Sequence, residues 1–234
     1  MSFGFGQPAN ILNAGKHTAF LETDVELVDG STAYIKGTAF FVSENLLLTA
    51  AHNVVAENGR VTKVGIRYEG AKKVEPVGAT LKCRVVAVMP KSDPSTYNPR
   101  EDLAILECIG HDCPHFLRLS TDPLPPTAIV HIIGYPGEVT KEWLNARHPE
   151  LRDYETSRNV AHKLLPRGML TASEGKISSI DGGCASYEIS TVEGMSGGCL
   201  LYDDKVYGIS VEDPPKLMRR RSPSRTQPKH RCSF

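Results

Sequence analysis

The sequence has no apolar run approaching the ~18 residues that a membrane-crossing helix needs. Its N-terminal segment, MSFGFGQPANILNAGKHTAF, lacks a basic stretch followed by an apolar one, so no secretory leader is expected. Neither sign of charge is in excess, with 27 Lys and Arg against 27 Asp and Glu. Cysteine is sparse: six in 234 residues is well below the density of a disulfide scaffold. Cys108 and Cys113, with His111 and His115 nearby, come nearest to a zinc signature. The C-x4-C spacing is wide, however, and no second ligand pair stands elsewhere. The plainer reading, ordinary thiols near a strand end, prevails, and no metal is expected.

The composition is that of a folded chain. Hydrophobic residues make up 40% of it, which excludes a disordered or collagenous protein, and the length fits one large all-β unit or two small lobes. The balanced charge hides a split, because residues 212–234 carry seven Lys and Arg against Glu212 and Asp213 alone. A mildly acidic body with a short basic tail does not suggest nucleic-acid binding, which needs basic charge on a folded face.

The pattern along the chain is mostly β. Strands are expected at residues 32–35, 38–42 and 46–49, split by Gly37 and by the Ser43-Glu44-Asn45 turn. Further strands are expected at 61–68, 83–89, 103–108 and 128–133, with glycine and proline between them as in a barrel or sandwich. Gly134-Tyr135-Pro136-Gly137 ends one strand, and residues 138–167 then read as a long polar insertion with one helix near 149–165. Strands resume at 169–171, 175–180, 187–189, 199–202 and 206–211. Beyond Val211 the chain turns Pro-, Arg- and Ser-rich, and 212–234 is expected to be a disordered basic tail. The run Arg219-Arg220-Arg221 beside Ser222-Pro223 also fits a localisation or phosphorylation segment, although a solvated charge run is the commoner meaning.

Three segments carry chemistry together. Leu46-Leu47-Leu48-Thr49-Ala50-Ala51-His52 runs an apolar strand through small residues into a histidine; Asp102 stands at the mouth of the apolar strand that follows it; Glu193-Gly194-Met195-Ser196-Gly197-Gly198 sets a serine among glycines. A serine hydroxyl is a poor nucleophile until a neutral imidazole accepts its proton, and a carboxylate must hold that imidazole in the right tautomer. His52 is therefore the candidate base and acid, Asp102 the orienting carboxylate and Ser196 the nucleophile. The glycines let the backbone approach a substrate closely, so the amides of Gly194 and Ser196 can face a developing oxyanion, each worth roughly 3 kcal/mol of barrier.

On these motifs, in this order, the sequence resembles the chymotrypsin/trypsin-like serine peptidases over about residues 15–211. The resemblance implies an all-β fold of two antiparallel β-barrels, about 15–118 and 124–211, with the site in the cleft between them. It also implies serine endopeptidase activity through a Ser-His-Asp triad and an acyl-enzyme, with peptide or protein substrates and no cofactor, nucleic acid or membrane; the oligomeric state stays open. Asn53 and Val192 stand where digestive members have cysteines, and Met195 where they have the aspartate that pairs with a freed N-terminus. The chain looks more like the glutamyl-endopeptidase (V8-like) branch, to which the Gly134–Gly137 turn is also similar. In the family the residue six before the nucleophile forms the base of the primary pocket. Here it is Ser190, with Thr191 beside it and Ser210 where glutamate-selective relatives have a histidine, so the pocket is expected to be small and polar.

After Val211 the family continues into a substrate-pairing strand, another barrel strand and a helix. This chain reads Glu212-Asp213-Pro214-Pro215, and two adjacent prolines exclude a central strand. The second barrel is therefore expected to lack its last strand unless another segment fills the gap. A second reading follows from that expectation: a protease-fold protein that binds or regulates without turnover. The absent leader and absent family disulfides favour an intracellular site, with secretion the alternative if an upstream segment exists.

Overall fold

A computed structural model of the chain describes residues 8–56, 58–68, 80–89, 98–141, 144–145, 158–159, 163, 167–189, 191–211 and 230–233. The first barrel is built from β1 (Thr18–Leu27), β2 (Thr32–Phe41), β3 (Leu46–Thr49), β4 (Gly59–Tyr68), β5 (Leu81–Val88) and β6 (Ala104–Cys108). They run in the order β1-β2-β3-β6-β5-β4, and β4 pairs back onto β1. The second barrel holds β7 (Ile129–Gly134), β8 (Thr171–Asp181), β9 (Cys184–Glu188), β10 (Cys199–Tyr202), β11 (Lys205–Val211) and β12 (His230–Ser233). Its order is β10-β11-β12-β9-β8-β7, with β7 closing onto β10. All these pairs are antiparallel, as expected.

Alternation of apolar and polar residues explains the first barrel. In β1, Ala19 and Leu21 point into a core shared with Phe41, Leu47, Ile66 and Leu106, and Val25 on the same face is also buried. Glu22, Asp24 and Glu26 occupy the other face, the pattern of a half-buried strand. The expected series omits β1, splits β2 at Gly37 and leaves residues 172–174 out of β8, although both strands are continuous. Gly182 and Gly183, at φ +50° and +84°, make the two-residue turn joining β8 to β9, where positive φ is required.

Strands at the seam between the barrels are buried on both faces. From Gly37 to Phe41 every residue of β2 is buried, because Phe40 points out of the first barrel toward Ile133, Cys199, Leu201 and Ile209 of the second. The short helix α1 (Ala9–Lys16), absent from the expected elements, adds Ile11 and Ala14 to this cluster. The helix expected near 149–165 lies mostly outside the described residues. Among the described residues no helix is long and apolar enough to cross a membrane.

The chain beyond Val211 corrects the expectation of a wholly disordered tail. Residues 212–229 lie outside the described residues, but His230–Ser233 returns as β12 between β11 and β9. Pro214 and Pro215 are among the residues left undescribed, and a segment farther along the chain pairs with β11 instead. The second barrel is thus closed by β12, which fills the gap expected beside β11. Deleting residues 230–234 would leave β9 and β11 as open edges. The expected cost is roughly 2 kcal/mol, or about 4–8 °C in Tm by scanning calorimetry; an unchanged Tm would show that β12 does not close the barrel.

Candidate active site

The site lies where the two barrels meet. β3 delivers His52 through the small buried residues Ala50 and Ala51 into a single 3-10 turn, Ala51–Asn53. A second such turn, Pro99–Glu101, is capped by the Asn98 side chain accepting from the Arg100 N–H at 3.1 Å, and it presents Asp102 just before β6. Asp102 is 5% exposed and grips His52 twice. Its Oδ1 accepts the His52 backbone N–H at 2.9 Å, and its Oδ2 lies 2.6 Å from the ring Nδ1. With Nδ1–H donated to the carboxylate, Nε2 is left as an acceptor. Ser196 Oγ stands 2.8 Å from that Nε2. An imidazole so placed can take the hydroxyl proton while the carboxylate steadies the charge that results.

Ser196 is 4% exposed and sits in a loop between β9 and β10. Gly194 and Gly197 flank it at φ +94° and +85°, a region costly to any other residue. The Glu193 carbonyl is held by the Gly137 N–H. Because a trans peptide puts its N–H opposite its C=O, the Gly194 N–H leaves on the other side. The Met195 carbonyl is held likewise by the Gly198 N–H at 3.0 Å, which turns the Ser196 N–H away from it. Among the described residues neither the Gly194 nor the Ser196 amide donates to a backbone carbonyl.

The three residues expected at the primary pocket fare differently. Ser190 lies outside the described residues. Thr191 and Ser210 are fully buried, and the Ser210 hydroxyl is 2.9 Å from that of Tyr187 on β9. Tyr187 escapes a sequence reading because nothing local marks it; only the pairing of β9 and β11 with β12 brings it there. Thr38 was equally unmarked, yet its Oγ1 lies 2.7 Å from the Gly194 carbonyl oxygen.

The thiols considered as metal ligands have other partners. Cys113 Sγ donates to the His115 carbonyl at 2.8 Å, His111 Nε2 pairs with the Tyr68 hydroxyl, and Cys108 faces Cys83 across β5 and β6. Burial pushes the Cys113 thiol up, and it lifts that of Cys199 at the seam to about 12. Among the described residues no group of three or more His, Cys, Asp or Glu could hold a metal ion.

A Cβ added at Gly197 would lie 2.1 Å from the Thr38 carbonyl oxygen, so the two barrels touch there through bare backbone. Gly197→Ala is expected to destabilise the fold by about 2–4 kcal/mol in urea unfolding. A loss below about 1 kcal/mol would contradict so close an approach.

Comparison with known proteins agrees with the fold. The family model described as a trypsin-like peptidase domain matches residues 37–209. No curated protein matches the sequence at a significant level. The active form of the Rv3671c protease from M. tuberculosis is similar in structure, with a TM-score of 0.59 at 16% identity, over 96% of this chain and 78% of that one. An inactive form of that protease, at 17% identity, matches with a TM-score of 0.56 over 96% of this chain and 86% of the other.

Proposed function

Since the chain belongs to the trypsin-like peptidase family, we propose that it is a serine endopeptidase acting on peptide or protein substrates through an acyl-enzyme. The observation that carries this reading is the unbroken line from Ser196 Oγ to His52 Nε2 at 2.8 Å and from His52 Nδ1 to Asp102 Oδ2 at 2.6 Å. Ser196 Oγ attacks the scissile carbonyl carbon as its proton passes to Nε2. Asp102 stays ionised and stabilises the imidazolium. The carbonyl oxygen becomes an oxyanion and takes hydrogen bonds from the Gly194 and Ser196 amides. Collapse breaks the C–N bond, and the leaving amine takes the proton from Nε2. Water then repeats the sequence on the acyl-enzyme, so no cofactor enters.

The residues assigned to the primary pocket favour a small, uncharged side chain on the substrate. Ser190, Thr191 and Ser210 bring no carboxylate to meet a lysine or arginine. Asn53, Val192 and Met195, in place of the digestive enzymes' residues, favour the V8-like branch.

Treatment with a fluorophosphonate followed by intact-mass spectrometry tests the nucleophile. One adduct is expected on the wild type and none on Ser196→Ala; equal labelling of a folded Ser196→Ala would overturn the assignment. Asp102→Asn tests the tautomer. The His52 backbone N–H keeps the amide oxygen on its side, so the new NH2 group faces Nδ1 and forces the ring proton onto Nε2. Ester turnover is expected to fall about ten-thousand-fold with folding intact, and a loss under tenfold would show that Asp102 does not set the tautomer.

A further inference from the structure

Four successive carbonyls of the nucleophile loop are each held by a named donor. Glu193 O accepts from the Gly137 N–H and Met195 O from the Gly198 N–H. Gly194 O accepts from the Thr38 hydroxyl at 2.7 Å. Ser196 O accepts from both the Thr38 N–H and the Asn53 Nδ2–H, each at 2.9 Å. The peptide planes on both sides of the Met195–Ser196 peptide are therefore held from the first barrel, by Thr38 on β2 and by the residue next to His52.

Every proton in this clamp is committed. Thr38 Oγ1 accepts the Tyr135 N–H at 2.9 Å, so its own hydrogen is left for Gly194 O. One Asn53 amide hydrogen goes to Ser196 O and the other to Thr49 Oγ1 at 3.1 Å. Thr49 Oγ1 in turn donates to the Thr38 carbonyl at 2.7 Å. Thr38, Thr49 and Asn53 are all buried, where leaving one of these groups unpaired is costly and a satisfied network holds a single orientation. Asn53 also fills the space beside Gly37, whose added Cβ would lie 2.4 Å from its Cγ.

We propose that Thr38 and Asn53 are positioning residues for the amides of Gly194 and Ser196, an inference that rests on the peptidase reading above. Amides that stabilise an oxyanion act only when aimed before the reaction begins. Those two amides belong to the residues whose carbonyls Thr38 and Asn53 hold. The first barrel thus supplies the base and also sets the geometry that the second barrel offers to the substrate carbonyl. Asn53 couples the two functions, since it adjoins His52 in sequence and bonds the nucleophile's own carbonyl.

Thr38→Val keeps the shape and the backbone N–H and removes the hydroxyl; Asn53→Leu removes both amide donors. The rate of fluorophosphonate labelling of Ser196 is measured against pH, at a temperature where circular dichroism shows each protein folded. In this reaction the P–O bond to Ser196 forms, fluoride leaves, and His52 takes the proton, while the phosphoryl oxygen occupies the place of the oxyanion. Each variant is expected to label at least tenfold more slowly at the pH plateau, with the midpoint of the pH profile unchanged because His52 and Asp102 are untouched. Thr38→Ser, which restores the hydroxyl, is expected within threefold of wild type. Each variant stands alone, so failure of one to fold leaves the other as the test. Wild-type rates in the folded variants, or a slow rate accompanied by a shifted midpoint, would overturn the positioning role while leaving the peptidase reading intact. A folded wild type that takes no label would overturn the peptidase reading, and this inference with it.

Discussion

The carbonyl of Ser196 is bonded by two donors from the opposite barrel, and the geometry of the site depends on that contact. Each barrel has a core of its own. Neither contains the site: His52 and Asp102 belong to the first barrel and Ser196 to the second. The hydrogen bonds from Thr38 and Asn53 join the nucleophile loop to the turn that carries the base. They are short and fully buried, so a relative shift of the barrels would strand polar groups away from water. The distance from Ser196 Oγ to His52 Nε2 is in this sense a consequence of how the barrels are joined.

Apolar burial makes that joint rigid. Phe40, Ile133, Leu201 and Ile209 pack across it, and α1 covers it with Ile11 and Ala14. Thr38 lies two residues from Phe40 on the same strand, so the packing that seats the phenyl ring also seats the hydroxyl on the Gly194 carbonyl. The bare backbone at Gly197 lets the loop reach Thr38 at all. Chemistry and packing share the same few residues here, and substitutions at the seam are expected to act on both.

Closure of the second barrel bears on the site as well. β11 carries Ser210, whose backbone N–H donates to the Gly198 carbonyl and whose carbonyl accepts from the Gly197 N–H, just after the nucleophile. β12 covers the outer edge of that strand. A strand drawn from beyond residues 214–215 does for β11 what an adjoining hairpin would do, since an edge needs a partner and the register of its hydrogen bonds is indifferent to loop length.

Much of this was legible in the residues themselves. His52 after an apolar strand, Asp102 before one and Ser196 among glycines are local patterns, because strand ends, turns and positive φ are decided over a few residues. Alternation likewise revealed most strands, and the break expected at Gly37 fails because the strand runs on through that glycine. The sequence by itself determined the all-β character, the residue types of the site and their order along the chain. Tertiary structure alone decided that Thr38 and Asn53 hold the nucleophile loop, that Tyr187 meets Ser210, and that β12 closes the second barrel. Those are contacts between residues far apart in the chain, and no local propensity encodes a partner that only the packing of two barrels brings within hydrogen-bond reach.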